Sequence, residues 1–400
     1  MNGSPTRSEL LTRQFYAWEM RGRGWAVWPE PVDLEPPFRP FIGHFVPGPM
    51  VVDDGQFETG LSRFADSFRR LLGVREEKKV VPPIQEEEEP EPDPVLRRNS
   101  LVELQTMLPA NLEISRDAFE QFFISLSLCR EPVAFELLGL HSQIAVQFAV
   151  HQSEAPLVSR QLEAFFPEAV FLPQQDALMD SWKESETAVV EFGLGREFML
   201  RLACGKLDPF VGVIGALSTL NPDELGLVQV LFHRVRQPWT ESIMRAVTDN
   251  NGEAFFANAP EVLDEARKKV ARPLYAVVVR IATQSEEFDR TWEIARNIAG
   301  SFHTFANPVG NELIPLTNDD YPLDLHVEDV LCRQSRRSGM LLNSDELIGF
   351  VHLPGAVVRS AKLLRETKKT KAAPDKLVGQ TGVLLGQNIH QRRISDVRIG

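Results

Sequence analysis

Residues 76–98 read EEKKVVPPIQEEEEPEPDPVLRR, and this stretch does most to limit what the chain can fold into. Pro82, Pro83, Pro90, Pro92 and Pro94 remove backbone donors and obstruct both helix and ladder bonding. Glu86–Glu89 repel one another, and too little apolar surface is present to offset the entropy of ordering. The expectation is a solvated, extended linker. It separates an arm over residues 1–75 from a body over 99–332, with a basic segment over 333–400 beyond it.

A chain of 400 residues exceeds one ordinary core, so two or three domains are expected. A 43% hydrophobic and 25% charged composition is that of globular protein. The longest apolar stretch, around Phe210–Leu220, is too short and Gly-rich to span a bilayer. No basic and then apolar leader opens the sequence. Cys129, Cys204 and Cys332 are widely separated, which points to a reducing compartment and away from structural zinc. The expected location is cytoplasmic, with peripheral association at the inner membrane face through partners as a variant. The net charge of −13 hides an asymmetry: residues 333–400 hold 13 Lys/Arg against 5 Asp/Glu, and the remainder 30 against 51. An acidic body with a basic tail reads as a set of interaction surfaces, facing phosphates or the acidic part of an oligomer. A solvated connector explains RETKKTKAAPDK equally well.

The arm is dense in prolines and carries Trp18, Trp25 and Trp28 with Arg21 and Arg23 interleaved. Nucleic-acid stacking or interfacial anchoring would use such residues. No periodicity gathers the arginines on one face, so an irregular arm docked on another domain or subunit is the preferred reading.

The body alternates strands and helices. PVAFELLGL and IAVQFAV form strands joined at His141–Ser142, and Leu157, Val158, Leu162, Phe165 and Phe166 then share a helical face that Pro167 ends. VFLPQ resumes as a strand. DPFVGVIGALSTL gives a short helix, Asn221–Asp223 a turn, and Val228, Val230 and Phe232 alternate with Gln229, Leu231 and His233 in a long strand. PEVLDEARKKVARP reads as a charged surface helix stopped by Pro273. PLYAVVVRIAT is a strand, and Phe288, Trp292, Ala295, Ala299 and Phe302 follow at helical spacing behind Ser285, Glu286 and Glu287 as an N-terminus. Two strand–helix–strand units imply an α+β, split-βαβ (ferredoxin-like) body with a mostly antiparallel sheet.

No G-x-x-x-x-G-K-[ST], G-x-S-x-G or H-E-x-x-H occurs, and no Cys–His pair has ligand spacing. His233 reads as a packed histidine, and Asp319–Asp320 and Glu328–Asp329 as solvated loop acids. No catalytic, cofactor or metal residue is assigned. LLNSDELIGFVHLP carries a capping box, Asn343 with Glu346, before Leu347, Phe350 and Val351, and Pro354 stops it.

Together with the closing GQTGVLLGQNIHQRRISDVRIG, this word resembles the conjugative DNA-transfer ATPases of type IV secretion, in the HerA–FtsK group of P-loop motors. The matching positions are Leu342, Ser344, Glu346, Leu347, His352, Leu353 and Pro354, then Gly382, Leu385, Gly386 and Asn388. Gln391-Arg392-Arg393 departs from the Arg-Gly that often follows the Asn in that family. The resemblance implies that residues 1–400 end just before a nucleotide-binding loop, as a truncated product or a piece of a longer chain. ATP and magnesium would belong to the motor, and no activity transfers to these residues. The implied role is to organise a homo-oligomeric ring and to dock secretion-apparatus proteins or DNA. Arg359, Lys362, Arg365, Lys368, Lys369, Lys371, Arg392 and Arg393 are the candidate DNA contacts. A stand-alone, non-enzymatic adaptor is the alternative, and a hydrolase with an unrecognised site a second one.

Overall fold

Thr6 accepts a hydrogen bond from the Glu9 backbone at 3.2 Å, and the Glu9 carboxylate accepts from the Thr6 backbone at 2.6 Å. This capping box starts α1 (Arg7–Glu19), so the arm opens on a regular helix and becomes irregular only after Gly22. The structure, a computed structural model, describes residues 6–45, 91–92, 100–109, 115–204, 208–366, 373–374, 378, 381–390 and 393–399. Apart from Glu91 and Pro92, the expected linker over 76–98 lies outside the described residues.

The body is α+β with a mostly antiparallel sheet, and it is built from two copies of one topology. The first copy runs β1 (Leu101–Pro109), α2 (Arg116–Ser125), β2 (Val133–Leu140), β3 (Ile144–His151), α3 (Ala155–Phe165) and β4 (Val170–Gln174). Its strands lie in the order β4-β1-β3-β2, each antiparallel to its neighbour. The short α4 (Ala177–Ser181) leads to the second copy. That copy consists of β5 (Glu186–Leu194), α5 (Phe210–Leu217), β6 (Leu225–Arg234), β7 (Leu274–Ser285), α8 (Phe288–Gly300) and β8 (Leu313–Pro315). Helices α6 (Trp239–Val247) and α7 (Glu261–Val270) are inserted between β6 and β7. Its order is β8-β5-β7-β6, again antiparallel throughout. Each copy is the β-α-β-β-α-β arrangement in which one strand is inserted inside a strand–helix–strand unit. β2 pairs with β6 along eight residues, and this seam fuses the copies into one sheet.

Strand alternation sorts the side chains. Phe135, Leu137, Val146, Phe148, Val228, Val230, Val279 and Ile281 face the large core, where Phe119, Phe122, Phe123, Val158, Leu162, Phe210, Ile214, Leu217, Ile294 and Ile298 of the helices cover them. At the seam Gly139 stands opposite Gly226. A Cβ on either would meet Leu217 at 2.9 or 2.6 Å, so the paired glycines let α5 lie close to the sheet. The opposite face carries a smaller apolar cluster, Leu138, Ala145, Leu178, Val189, Leu225, Leu227 and Ala282, under Val330 of α9 (Leu323–Cys332).

The body does not stop at residue 332. β9 (Met340–Asn343) pairs with β7, and α10 (Ser344–Phe350) follows it. β10 (Arg365–Glu366) pairs parallel with the end of β1. β9 and β10 thus tie the 333–366 segment to the body's sheet. β11 (Val383–His390) and β12 (Arg393–Ile399) form a separate antiparallel hairpin. Three expectations change in detail. On α8 the buried face is Thr291, Ile294, Ala295 and Ile298, while Phe288 is 63% exposed and Trp292 36%. Ser285 does not cap α8, since its hydroxyl pairs with Thr291 and Glu287. On α7, expected at the surface, Glu265 and Lys269 are buried.

Candidate functional site

Five strands each place one polar residue in the middle of an apolar run, and the register aligns them. Gln147 on β3 stands opposite Glu136 on β2, Glu136 opposite Gln229 on β6, Gln229 opposite Arg280 on β7, and Arg280 opposite Glu191 on β5. All five are fully buried on the smaller-core face. The Glu136 carboxylate accepts from Gln147 at 2.7 Å and Gln229 at 2.6 Å. Arg280 Nε donates to Gln229 at 2.6 Å, and Arg280 Nη1 lies 3.5 Å from Glu191. The row crosses the seam, so it ties one copy of the fold to the other.

A strap over residues 333–337, together with α9, closes this row. Arg333, in the left-handed conformation that ends α9, donates to Glu136 at 2.8 Å and also reaches Glu103 on β1. Glu103 in turn accepts from the backbone of Ala177 and Leu178 at the start of α4. Arg336 Nη1 donates to Asp329 at 2.7 Å, and Asp329 also accepts from Gln334 and Tyr321. Arg337 Nε donates to Glu191 at 2.8 Å. His326 stacks on Tyr321 with centroids 4.0 Å apart and faces Glu191 at 3.3 Å. Four carboxylates (Glu103, Glu136, Glu191, Asp329) thus meet four guanidiniums (Arg280, Arg333, Arg336, Arg337), so these charges balance before His326, beside Glu191, is counted.

Balance is what lets charges stay ionised out of water. Burial alone would raise the Glu191 carboxyl, but His326, Arg280 and Arg337 outweigh it and hold the group at about 2. Glu136 is likewise raised by burial and lowered further by Arg333, for a net shift downward. The Arg333 guanidinium, despite burial, is raised by Glu136 and Glu103.

The strap also fastens the N-terminal arm. Arg337 Nη1 donates to the Trp25 carbonyl at 2.7 Å and Arg336 Nε to that of Pro29 at 3.1 Å. The Trp28 backbone donates to Arg336 O at 2.8 Å, and the Trp28 indole to Ser338 Oγ at 3.1 Å. Trp25 donates its indole to Leu194 O at 2.9 Å. The tryptophans are therefore docking residues on this chain's own body.

The basic candidates divide. Arg359 is exposed. Lys362 Nζ donates to Leu220 O at 3.2 Å, and Arg365 donates to the carbonyls of Pro109 and Gly355 at 3.0 Å and Val358 at 2.8 Å. Burial lowers the Arg365 guanidinium below its ordinary value. Lys368, Lys369, Lys371, Arg392 and the side chain of Arg393 lie outside the described residues.

The capped word is built as expected. Asn343 caps α10 by accepting from the Glu346 backbone at 3.1 Å, and Glu346 returns to Asn343 at 2.8 Å. Glu346 is buried and paired with buried Lys269 at 2.7 Å, and it also accepts from the Leu202 backbone at 2.9 Å. His352 stacks on Phe210 and sits 3.0 Å from Asp208, whose carboxyl burial raises and His352 more than restores, leaving it below its ordinary value. His233 is buried, with Nε2 3.0 Å from Cys129 O, and burial lowers it. Asp319 and Asp320 are exposed, whereas Asp329 belongs to the buried layer. Among the described residues no group of His, Cys, Asp and Glu could hold a metal ion, the three cysteines are free, and no helix is long and apolar enough to cross a membrane.

No family model matches this chain. No characterised protein matches it in sequence. Among solved structures, the chain has a likeness to a berberine bridge enzyme G164A variant, a reticuline dehydrogenase, at 11% identity. That likeness covers 55% of this chain and 43% of the other, with a TM-score of 0.25. A likeness of that size carries no argument about fold or chemistry.

Proposed function

We propose that this chain is the non-catalytic N-terminal region of a conjugative or type IV secretion-type DNA-translocating ATPase, organising its ring and docking partners or DNA. The observation that supports the reading is how differently the two resembling words are built. Asn343–Pro354 is locked into the body through Glu346 and Lys269. The second word lies on the β11–β12 hairpin, where Val383, Leu385, Ile394 and Ile399 are between 53 and 69% exposed. A lone two-stranded hairpin is marginal in water and gains by laying its apolar side chains on a further module. In this reading that module is the P-loop motor, and the arm, strap and fused sheet form the rigid platform beneath it.

Calorimetry of the purified chain with magnesium and ATP tests the non-catalytic part. No binding and no turnover are expected, because no Gly-rich turn with a following Lys-Ser/Thr is present in the sequence. Micromolar binding would overturn the reading. Turnover lost on a single acidic or His substitution would make the chain a hydrolase instead.

A further inference from the structure

The arm helix α1 does not close completely on the body. Between it and the loop that precedes α7 lies a cleft of about 520 Å³. Phe15, Tyr16, His44, Phe255 and Phe256 line it together with Glu197 and with small aliphatic and hydroxyl side chains of α1 and α7. Phe256 meets Phe15 edge-on with centroids 5.1 Å apart, and Phe255 meets Phe256 at 5.3 Å and 88°. His44 lies flat on Phe255 and places Nε2 2.8 Å from the Ala246 carbonyl. Burial lowers the His44 imidazole, so it is neutral at physiological pH and donates to that carbonyl.

Among the described residues lining the cleft, Glu197 is therefore the one charged group. Its Oε1 accepts from the Tyr16 hydroxyl at 3.1 Å. The nearby Arg23 guanidinium is committed elsewhere: it donates to Glu19 at 3.0 Å and to Gly195 O at 3.3 Å, and it stands 4.0 Å from Glu197. Burial pushes the Glu19 carboxyl up to about 7, and Arg23 comes no closer than 4.0 Å to Glu197, so the negative charge facing the cleft is that of Glu197 itself. Aromatic faces around a carboxylate attract a cation through the ring quadrupoles, and most strongly where water is partly excluded. An apolar cleft of a few hundred Å³ with one oriented polar end has the form of a small-molecule site.

We propose that this cleft binds a small organic cation, an ammonium bearing apolar substituents, with its charge at Glu197 and its substituents among Phe15, Phe255 and Phe256. A neutral isostere loses the carboxylate, and an anion is repelled by it. The site is independent of DNA and of any nucleotide.

The test is a titration of the full chain, followed by calorimetry, with benzyltrimethylammonium, benzyl alcohol and benzoate. Saturable binding of the ammonium is expected, about tenfold or more tighter than benzyl alcohol, with no binding of benzoate. Glu197→Gln should weaken the ammonium about tenfold and leave benzyl alcohol unchanged. Thr12→Lys, on the exposed edge of α1, places a like charge at the cleft without touching the core and should weaken the ammonium as well. Equal binding of the ammonium and the alcohol overturns the proposal. So does binding of none of the three, or ammonium binding that survives Thr12→Lys unchanged.

Discussion

Arg333 and Arg337 each join a carboxylate from the sheet to the strap, and neither has water to fall back on. Removing one partner of such a buried pair leaves an uncompensated charge, which costs about 3–5 kcal/mol. Glu191→Ala should therefore lower stability by about that much in urea unfolding, since Arg280 and Arg337 both lose their counter-charge. Lys183→Ala, which breaks an exposed pair with Asp223, should change stability by less than about 1 kcal/mol. The same carboxylates set the acid limb. Glu191 and Glu136 are held below their ordinary values, so their contribution is fully present above about pH 4.5 and is lost as pH falls through those lowered values, about 2 for Glu191. Urea midpoints should fall as the pH drops from about 4.5 to 3, and Glu191→Gln should flatten that fall. Each member of the row is visible in the sequence as one polar letter inside VAFELLGL, IAVQFAV, LVQVLF, YAVVVRIA and AVVEFGL. Their alignment is not visible there, because register between strands distant in the chain is a tertiary property. The acids of the 333–337 partnership were likewise hidden, with Asp329 reading locally as a solvated loop acid.

At the scale of elements, local signals transferred and one-sided patterns did not. The α10 capping box is a contact between residues three apart, so Asn343 and Glu346 could be read directly from sequence. Asn343→Ala should cost about 1 kcal/mol through the cap. Glu346→Gln should cost more, because its single amide oxygen can serve only one of the Leu202 and Asn343 backbones, which bond different carboxylate oxygens, and because it strands the Lys269 ammonium, which burial already lowers. Combining it with Lys269→Met should recover the part of that loss due to the stranded ammonium, as a double-mutant cycle in urea would show. α8 is the counter-example. Phe288 and Trp292 form one apolar stripe, Thr291, Ile294, Ala295 and Ile298 another, and periodicity cannot say which meets the sheet. The N-terminal arm hid its helix for a similar reason: Thr6 and Glu9 supply the cap, but the prolines that follow dominate the composition. Glu19, at the end of α1, brings a second pH dependence of opposite sign. Burial pushes it up to about 7 despite Arg23, so its contribution is full below about pH 4.5 and is lost as pH rises through 7. Arm docking, followed by Trp18 fluorescence, should loosen over that interval.

The sheet of the described body is a fused pair of like-folded halves whose seam is held by strand pairing, by facing glycines and by the polar row. The two strand–helix–strand units were legible as patterns, while their common β-α-β-β-α-β topology emerged only from strand order. Gly226→Leu should destabilise both halves together, since its side chain would collide with Leu217 at the seam, and the unfolding should stay a single transition. The charge asymmetry belongs to this scale as well: an acidic body opposes, and a basic C-terminal segment favours, contact with a polyanion. The proposed role stands or falls most directly on a fluorescence titration of duplex DNA with the full chain, run from low to physiological salt. The account predicts weak binding without sequence preference, falling by orders of magnitude over that range. Neutralising Lys368, Lys369 and Lys371 together should weaken it and flatten the salt slope. Binding that this triple change leaves untouched, or no binding even at low salt, would contradict it.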